Sequence, residues 1–306
     1  DMASKTTRIV AGSAQVGFTG DNGPATSAAL NNPIYLAGGT DGMLYISDRD
    51  NHAIRRVDLS TMLITTVAGQ GGRAGRAGDG GAATAAELHF PAGIDVNDRG
   101  DLIISDTGNT IFRRVVGGVI STVAGSGVYG MSGFENALTA RLGKDNRDLV
   151  LVGPDGDFIY VDGENHAVRY VDVVKGIISL YAGTNSRGYA RDNGRLADWS
   201  PLNSPTGVCL SPDGKVVWIS DSGNGVMRAV AGSNEGGVAL TLTPSRGPTA
   251  APVGPSMAPT ATPKPTFGPS STFPTFAPSN VPSEAPSTDI PSVQPSSTPS
   301  PTNTAI

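Results

Sequence analysis

From its first residues to about Thr243 the chain alternates short apolar runs with glycine-bearing turns. Four of the runs, Leu44-Tyr45-Ile46, Leu102-Ile103-Ile104, Phe158-Ile159-Tyr160-Val161 and Val216-Val217-Trp218-Ile219, are apolar at consecutive positions. A strand apolar on both sides must be buried on both sides, whereas a two-layer sandwich shows clean alternation. No helical period persists beyond a few turns, so the pattern predicts an all-β domain. The turns before or within these runs, Asp41-Gly42, Arg99-Gly100, Asp155-Gly156 and Asp213-Gly214, place glycine where a tight hairpin needs positive φ. A four-stranded sheet stacked between two similar sheets, as in a β-propeller, satisfies both observations.

The pattern repeats. Ala-Gly after an apolar run occurs at Ala11-Gly12, Ala68-Gly69, Ala124-Gly125 and Ala182-Gly183, in steps of 57, 56 and 58 residues. A second anchor runs in parallel: Asp48, Asp106, Asp162 and Asp221. Three residues after each stands Asn51, Asn109, Asn165 or Asn224, and four further on Arg55, Arg113, Arg169 or Arg228. Fixed periods of this length mark a repeat architecture. In the second unit the strands are predicted as A (Ala92 to Val96), B (Leu102 to Ser105), C (Ile111 to Val115) and D (Val119 to Ala124).

The segments "GDGGAATAAELHFPAGIDV", "LIISDTGNTIFRRV" and "GVISTVAG" of the second unit closely resemble the NHL repeat. The resemblance covers about residues 6 to 243 and implies a propeller with blades at approximately 13–69, 70–125, 126–183 and 184–243, preceded by an extra strand at 7–12. The third unit departs from it, with Phe134-Glu135-Asn136 in place of Gly-Asp and Asn146-Arg147 in place of a proline. Four A–B–C sets accompany five D-like strands, counting Arg8 to Ala11 and Val238 to Leu242. The ring is therefore expected to be incomplete as given, and the chain to be a fragment or processed product.

Composition changes near Thr243. Sixteen of the 23 prolines and only three of the 41 glycines lie beyond it, together with 21 Ser and Thr. Residues 244–306 cannot bury a core and are expected to be a disordered Pro/Ser/Thr-rich tail that samples extended states. Such runs resemble O-glycosylated stalks of surface proteins, which points to a location outside the cell. Net charge is −5, which gives no general attraction to nucleic acid or anionic lipid. No apolar stretch reaches transmembrane length and no signal-peptide pattern opens the chain. The single cysteine, Cys209, excludes an internal disulfide and is expected to be a buried small hydrophobe in strand A of the fourth blade.

Candidate chemistry is sparse. An Asp, Asn and Arg set present in every blade is scaffold, with Asp capping a turn and Arg bonding a carboxylate. His52 and His166 share the slot after the repeated Asn, and His89 lies in a long loop. Zinc-dependent amidating lyases are propellers resembling this family, but these histidines read as structural rather than as ligands. Gly20 to Pro24 and Gly78 to Gly81 lack the spacing of a calcium loop or a P-loop. They read as turns leading into short helices at Ala25–Leu30 and Ala82–Leu88. No catalytic residue, metal ligand or cofactor motif is assigned. Some NHL propellers of tripartite-motif proteins bind RNA on a basic face; here arginines are interspersed with Asp, which argues against nucleic acid.

The reading favours a module that binds protein or glycan. The alternatives are a propeller enzyme of the metal-dependent lyase or lactonase type and an RNA-binding propeller. Antiparallel meanders put the B–C and D–A connections on one face. The D–A connections are long and variable, so Arg73, Arg76, Tyr129, Arg187, Tyr189 and Trp199 are the candidate ligand-binding residues. Trp199 and Phe134 are the two for which burial between blades is an equal alternative.

Overall fold

In the computed structural model the described residues are 7–231, apart from 132–134, 145, 147, 154, 192, 193 and 195. The chain divides into two units, Asp1–Ala251 and Pro252–Ile306, and every described residue belongs to the first. The tail, Phe134, Arg147 and the Val238–Leu242 strand lie outside the described residues.

Four blades follow one another. The first is built of strands A (Pro33–Gly38), B (Met43–Asp48), C (Ala53–Asp58) and D (Leu63–Ala68), all antiparallel. The second has Pro91–Val96, Leu102–Asp106, Ile111–Val116 and Val119–Ala124. The third has Leu149–Leu151, Phe158–Asp162, Ala167–Asp172 and Ile177–Gly183. The fourth shows A, B and C at Gly207–Leu210, Val216–Asp221 and Val226–Ala231. The expected A–B turns are present, with Gly42, Gly100, Gly156 and Gly214 at φ 80°, 81°, 91° and 71°.

The repeated Ala-Gly pair has a steric cause. Gly69, Gly125 and Gly183 sit at φ 88°, 95° and 97°. A Cβ on Gly69 would come within 2.3 Å of the His52 carbonyl oxygen. Only glycine lets strand D leave the sheet past the start of strand C.

Residues 7–12, expected as a strand, form none. The described residues offer no C strand for them to pair with, and Val10 and Ala11 instead pack on the first blade beside Ile46, Val57 and Ile64. The short helices expected at Ala25–Leu30 and Ala82–Leu88 are single 3₁₀ turns, Ala25–Ser27 and Ala83–Ala85. Their alanines at i and i+3, Ala25 with Ala28 and Ala83 with Ala86, are all buried. Residues three apart eclipse in a 3₁₀ turn, so one narrow turn wedges both methyl groups under the sheet.

These turns belong to the D–A connections, which do more than join blades. Gly23–Pro24 pairs with Leu63 and Ile64, and Glu135–Asn136 with Ile177 and Ile178, adding a short fifth strand outside strand D. Ala82 bridges Val119 in the same manner. The first three connections thus descend the outer edge of the blade they enter and cover backbone groups that would otherwise template another strand.

Burial is made between blades. Tyr45 and Ile54 of the first blade pack on Ile94, Leu102 and Ile104 of the second. Ile103 and Phe112 of the second pack on Phe158, Tyr160 and Val171 of the third. Ile159, Val168 and Tyr170 of the third pack on Val208, Val217 and Ile219 of the fourth. Each fully buried Ile or Phe contributes about 1.5–3 kcal/mol. Polar ties cross the same gaps: Ser47 and Ser105 hydroxyls donate to the Ala92 and Asn146 carbonyls. The Leu151 and Val208 amides donate to Asp95 and Asp148 at 2.8 and 2.7 Å.

Cys209 is exposed rather than buried. It pairs with Trp218 on the side of the fourth blade that no described blade covers.

Candidate functional site

The B–C corner organises one face of every blade. Strand B ends on the repeated Asp, followed by a single turn and then a residue in the left-handed region: His52, Thr110, His166 and Gly225 at φ 54°, 55°, 52° and 66°. One carboxylate oxygen of Asp48, Asp106 and Asp221 accepts the backbone N–H entering strand A, from Asn31, His89 and Asn203, at 2.7, 2.7 and 2.8 Å. The repeated Asn donates to the same carboxylate at 2.8, 2.8, 2.8 and 2.9 Å in the four blades.

The same Asn amide also reaches outward. It donates to the carbonyls of Gly17, Gly75, Gly130 and Gly188 at 2.6, 2.6, 3.1 and 2.7 Å. Each of these glycines returns its own N–H to the far limb of its loop, at Leu30, Leu88, Leu142 and Leu202. The D–A connection is therefore pinned at one glycine per blade, from both sides, on the B–C face.

The repeated Arg closes the network. Arg169 and Arg228 contact Asp162 and Asp221 at 2.6 and 2.8 Å, while Arg55 and Arg113 lie farther from Asp48 and Asp106, at 3.3 and 3.7 Å. The latter two are held by loop acids instead, Asp21 at 2.9 Å and Asp79 at 2.8 Å. The third blade lacks that loop acid, and Asn185 accepts from Arg169 at 2.7 Å. Burial raises Asp48, Asp106 and Asp162 above the usual carboxylate range, Asp106 to about 7. All twelve repeated residues take part in this network of bonds.

His52 and His166 face the next blade. Their Nδ1 atoms accept the Phe90 and Ser204 amides at 3.1 and 3.0 Å. Desolvation, followed by the neighbouring His89, lowers the His52 pKa below its usual value. Among the described residues no three of His, Cys, Asp and Glu are grouped to hold a metal ion.

The candidate face residues fall on three successive connections, and all are exposed. Arg73 pairs with Glu87 at 2.7 Å. Arg76 donates to the Ser126 carbonyl of the next connection at 3.1 Å. Lys144 lies over the Tyr129 ring at 4.7 Å and Arg228 over Tyr189 at 5.8 Å. Arg187 is exposed without forming part of a core cluster. Trp199 is 69% exposed. It lies on a 3₁₀ turn, Ala197–Trp199, whose counterparts bond near the C–D turns: Ala25, Ala83 and Ala137 donate to Met62, Gly118 and Gly176. The same turns also accept the Gly69 and Gly125 amides, at Ala83 and Ala137, so each links a C–D turn to the end of the preceding strand D beside a B–C corner.

Aligning the pinned glycines exposes residues that composition alone does not single out. Each glycine is flanked by variable side chains: Val16 and Phe18, Ala74 and Arg76, Tyr129 and Met131, Arg187 and Tyr189. Val16, Val128, Tyr129, Met131 and Tyr189 are 80%, 51%, 48%, 58% and 54% exposed. Phe18 instead lies under the Arg55 guanidinium at 4.7 Å. The signal for Val16, Val128 and Met131 was the offset from the repeated Asn, legible only once its loop carbonyl is known.

No family model matches the chain. It is 26% identical to NHL repeat-containing protein 2 of Gallus gallus over 149 residues, 44% of this chain and 19% of that protein. It is 23% identical to Teneurin-1 of Mus musculus over 233 residues, 69% of this chain and 8% of that protein. The chain thus spans less than a fifth of either relative. Among solved structures, an auxiliary nutrient binding protein from Bacteroides ovatus ATCC 8483 superposes with a TM-score of 0.50 at 21% identity, over 67% of this chain and 49% of that one. Among the described residues no helix is long and apolar enough to cross a membrane. With four stacked antiparallel blades, one repeated Asp, Asn and Arg corner and these relatives, the chain is an NHL-type β-propeller.

Proposed function

We propose that the chain is a binding module whose ligand, a protein surface in preference to a glycan, lies across the B–C face at the cell exterior. One observation carries this reading. The repeated polar residues are consumed in holding one glycine per blade, while the residues flanking that glycine vary and, Phe18 apart, face solvent. A rim pinned from both sides pays little ordering entropy on binding. Its side chains, Arg76, Arg187, Tyr129, Met131 and Tyr189, are of the types enriched in protein-interface cores. Arg73 adds charge at the edge of the same segment. Sugar ligands are held by aromatic stacking together with hydrogen bonds from polar side chains, and exposed valines and methionine serve neither. The exterior location rests on the stalk-like composition of residues 244–306. The relatives and the Bacteroides structure support the blade architecture, which many functions share.

The test begins with partner capture by crosslinking on intact cells, in parallel with a glycan array. Replacing Arg76, Tyr129, Arg187 and Tyr189 with Ala is expected to abolish capture and leave the melting temperature unchanged. Substitutions in the A–B turns, at Asp41, Arg99, Asp155 and Asp213, are expected to leave capture intact. Loss from the second set alone places the ligand on the opposite face. Retention on a glycan array with no protein partner overturns the preference for protein.

A further inference from the structure

His52 and His166 stand in equivalent corners and make equivalent bonds. Each lies in the left-handed region, and each Nδ1 accepts an amide from the connection that enters the next blade. Those amides belong to Phe90 and Ser204, which are themselves held at φ 49° and 45°. Side chains resist that conformation, so the bond secures a strained point of the chain. The preceding amides, of His89 and Asn203, are bound by Asp106 and Asp221 of the blade being entered. One bond therefore ties the connection to its own blade, and the next ties it to the blade before. One residue earlier again, the Leu88 and Leu202 carbonyls accept the amides of the pinned glycines, Gly75 and Gly188, at 3.2 and 3.0 Å. The histidine bond is thus two residues from the backbone that carries the variable rim.

The gap between them lacks this bond. Thr110, which has no titrating group, occupies the slot in the second blade. Arg73 and Arg76 lie on the connection held by His52, and Arg187 and Tyr189 on the one held by His166. Tyr129 and Met131 lie on the connection beside Thr110.

An imidazole accepts at Nδ1 only while that nitrogen carries no proton. Protonation turns the acceptor into a donor aimed at another donor. At His52, which is buried, the new cation is also crowded. The His89 ring lies 5.6 Å away, and the Arg49 guanidinium sits over the Phe90 ring at 4.6 Å. The acid on the same turn, Asp50, is engaged by Arg49 at 2.7 Å, and Asp106 is occupied by the His89 amide. His166 has Glu164 on its own turn, bonded to the Lys144 amide, and Asp221 across the gap, bonded to the Asn203 amide. Residues 199–206, which pack against His166, carry no charged side chain.

We propose that His52 and His166 form an acid-sensitive latch on the B–C face: their protonation frees the connections entering blades two and four, while the one entering blade three stays held. Its consequence for function rests on the binding-face reading, because the freed segments carry Arg76, Arg187 and Tyr189, and contacts made through them would be lost on acidification.

Hydrogen exchange of the full chain at pH 7.5 and pH 5.5, with labelling times scaled for the chemical exchange rate, tests the latch without any partner. Protection in residues 70–90 and 184–190 is expected to fall more than about tenfold at the lower pH, and in residues 126–131 to change less than about twofold. His52→Asn supplies the control. Asn places Oδ1 where the imidazole places Nδ1, tolerates the left-handed region and does not titrate. In this variant residues 70–90 should keep their protection at both pH values while residues 184–190 still respond, and His166→Asn should reverse the pattern. Equal loosening of all three connections, or of none, overturns the proposal. So does loosening of residues 70–90 that persists in His52→Asn, which would assign it to Asp106. Either failure leaves the binding-face reading standing, because that reading is tested by capture at neutral pH.

Discussion

Blades three and four have similar sequences and different physical lives. In the third, strands Phe158–Asp162 and Ala167–Asp172 are buried at every position. In the fourth, the corresponding strands alternate or are open. Val216-Val217-Trp218-Ile219 is as continuously apolar as Phe158-Ile159-Tyr160-Val161. The apolar run therefore records what a blade is made to pack against, and the stack decides whether the burial is realised. A four-stranded blade is too thin to bury both faces alone; its neighbours supply the second wall.

The largest test of that contrast is a pair of substitutions in one slot. Phe112 is fully buried and its ring centroid lies 4.6 Å from that of Tyr160 and 4.9 Å from that of Phe158. Phe112→Ala is expected to cost about 3–5 kcal/mol, by lost transfer energy and a residual cavity. Met227→Ala removes an exposed side chain from the same slot and is expected to stay within about 0.5 kcal/mol. Urea unfolding of both variants, at a concentration where the chain is monomeric, measures the difference. Equal costs would mean that blade four is covered in solution.

The same contrast explains what was legible in the sequence. The blade count, the A–B turns and the Asp, Asn and Arg corner stand out because each depends on short-range chemistry that recurs. Gly42 and its counterparts need positive φ, and the corner bonds join residues three and seven apart in sequence. What was not legible depends on which surface lies opposite. Cys209 lies between two apolar residues yet faces solvent, because its side of the sheet has no described neighbour. The alanine-rich stretch 25–30 reads as a helix by propensity, but the sheet accepts only one 3₁₀ turn there. Loop length marked the D–A connections as the variable element, yet gave no sign that part of each of the first three runs down the outer edge.

A second, smaller effect separates buried from exposed corners by pH. Burial raises Asp106 to about 7, and its nearest guanidinium nitrogen, on Arg113, is 3.7 Å away. An unfolded Asp titrates near 3.9. Between those values the native state holds more protons than the unfolded state, so this group makes stability fall as pH rises from about 4 to about 7. Asp106→Asn keeps an acceptor for the His89 amide and removes the titration. The stability difference between the parent and this variant is expected to change across that window and be flat above it. A difference independent of pH would show that Arg113 holds Asp106 ionised throughout.

The smallest effect concerns the slot after the repeated Asn, where blades one and three carry His and blade four carries Gly. His52 sits at φ 54°, a conformation that disfavours a side chain, yet its Nδ1 accepts the Phe90 amide of the next blade at 3.1 Å. In blade four Gly225 occupies the same conformation, and no described blade offers an amide to accept. The histidine therefore exchanges backbone strain for a bond between blades. His52→Gly relieves the strain and loses the bond, so it is expected to be nearly neutral. His52→Ala keeps the strain and leaves the Phe90 amide unpaired, at a cost of about 1–3 kcal/mol. Desolvation lowers the His52 pKa in the folded state. Below the unfolded value, near 6.5, the unfolded chain therefore binds more protons at this site. Its contribution is present in full above that pH and is lost progressively as pH falls toward the depressed folded value. Thermal melts between pH 5 and pH 8 should show the gap between the parent and His52→Ala narrowing toward acid. A gap constant across that range would mean that packing against Phe90 and His89, at ring separations of 4.8 and 5.6 Å, supplies the stabilisation and the hydrogen bond does not.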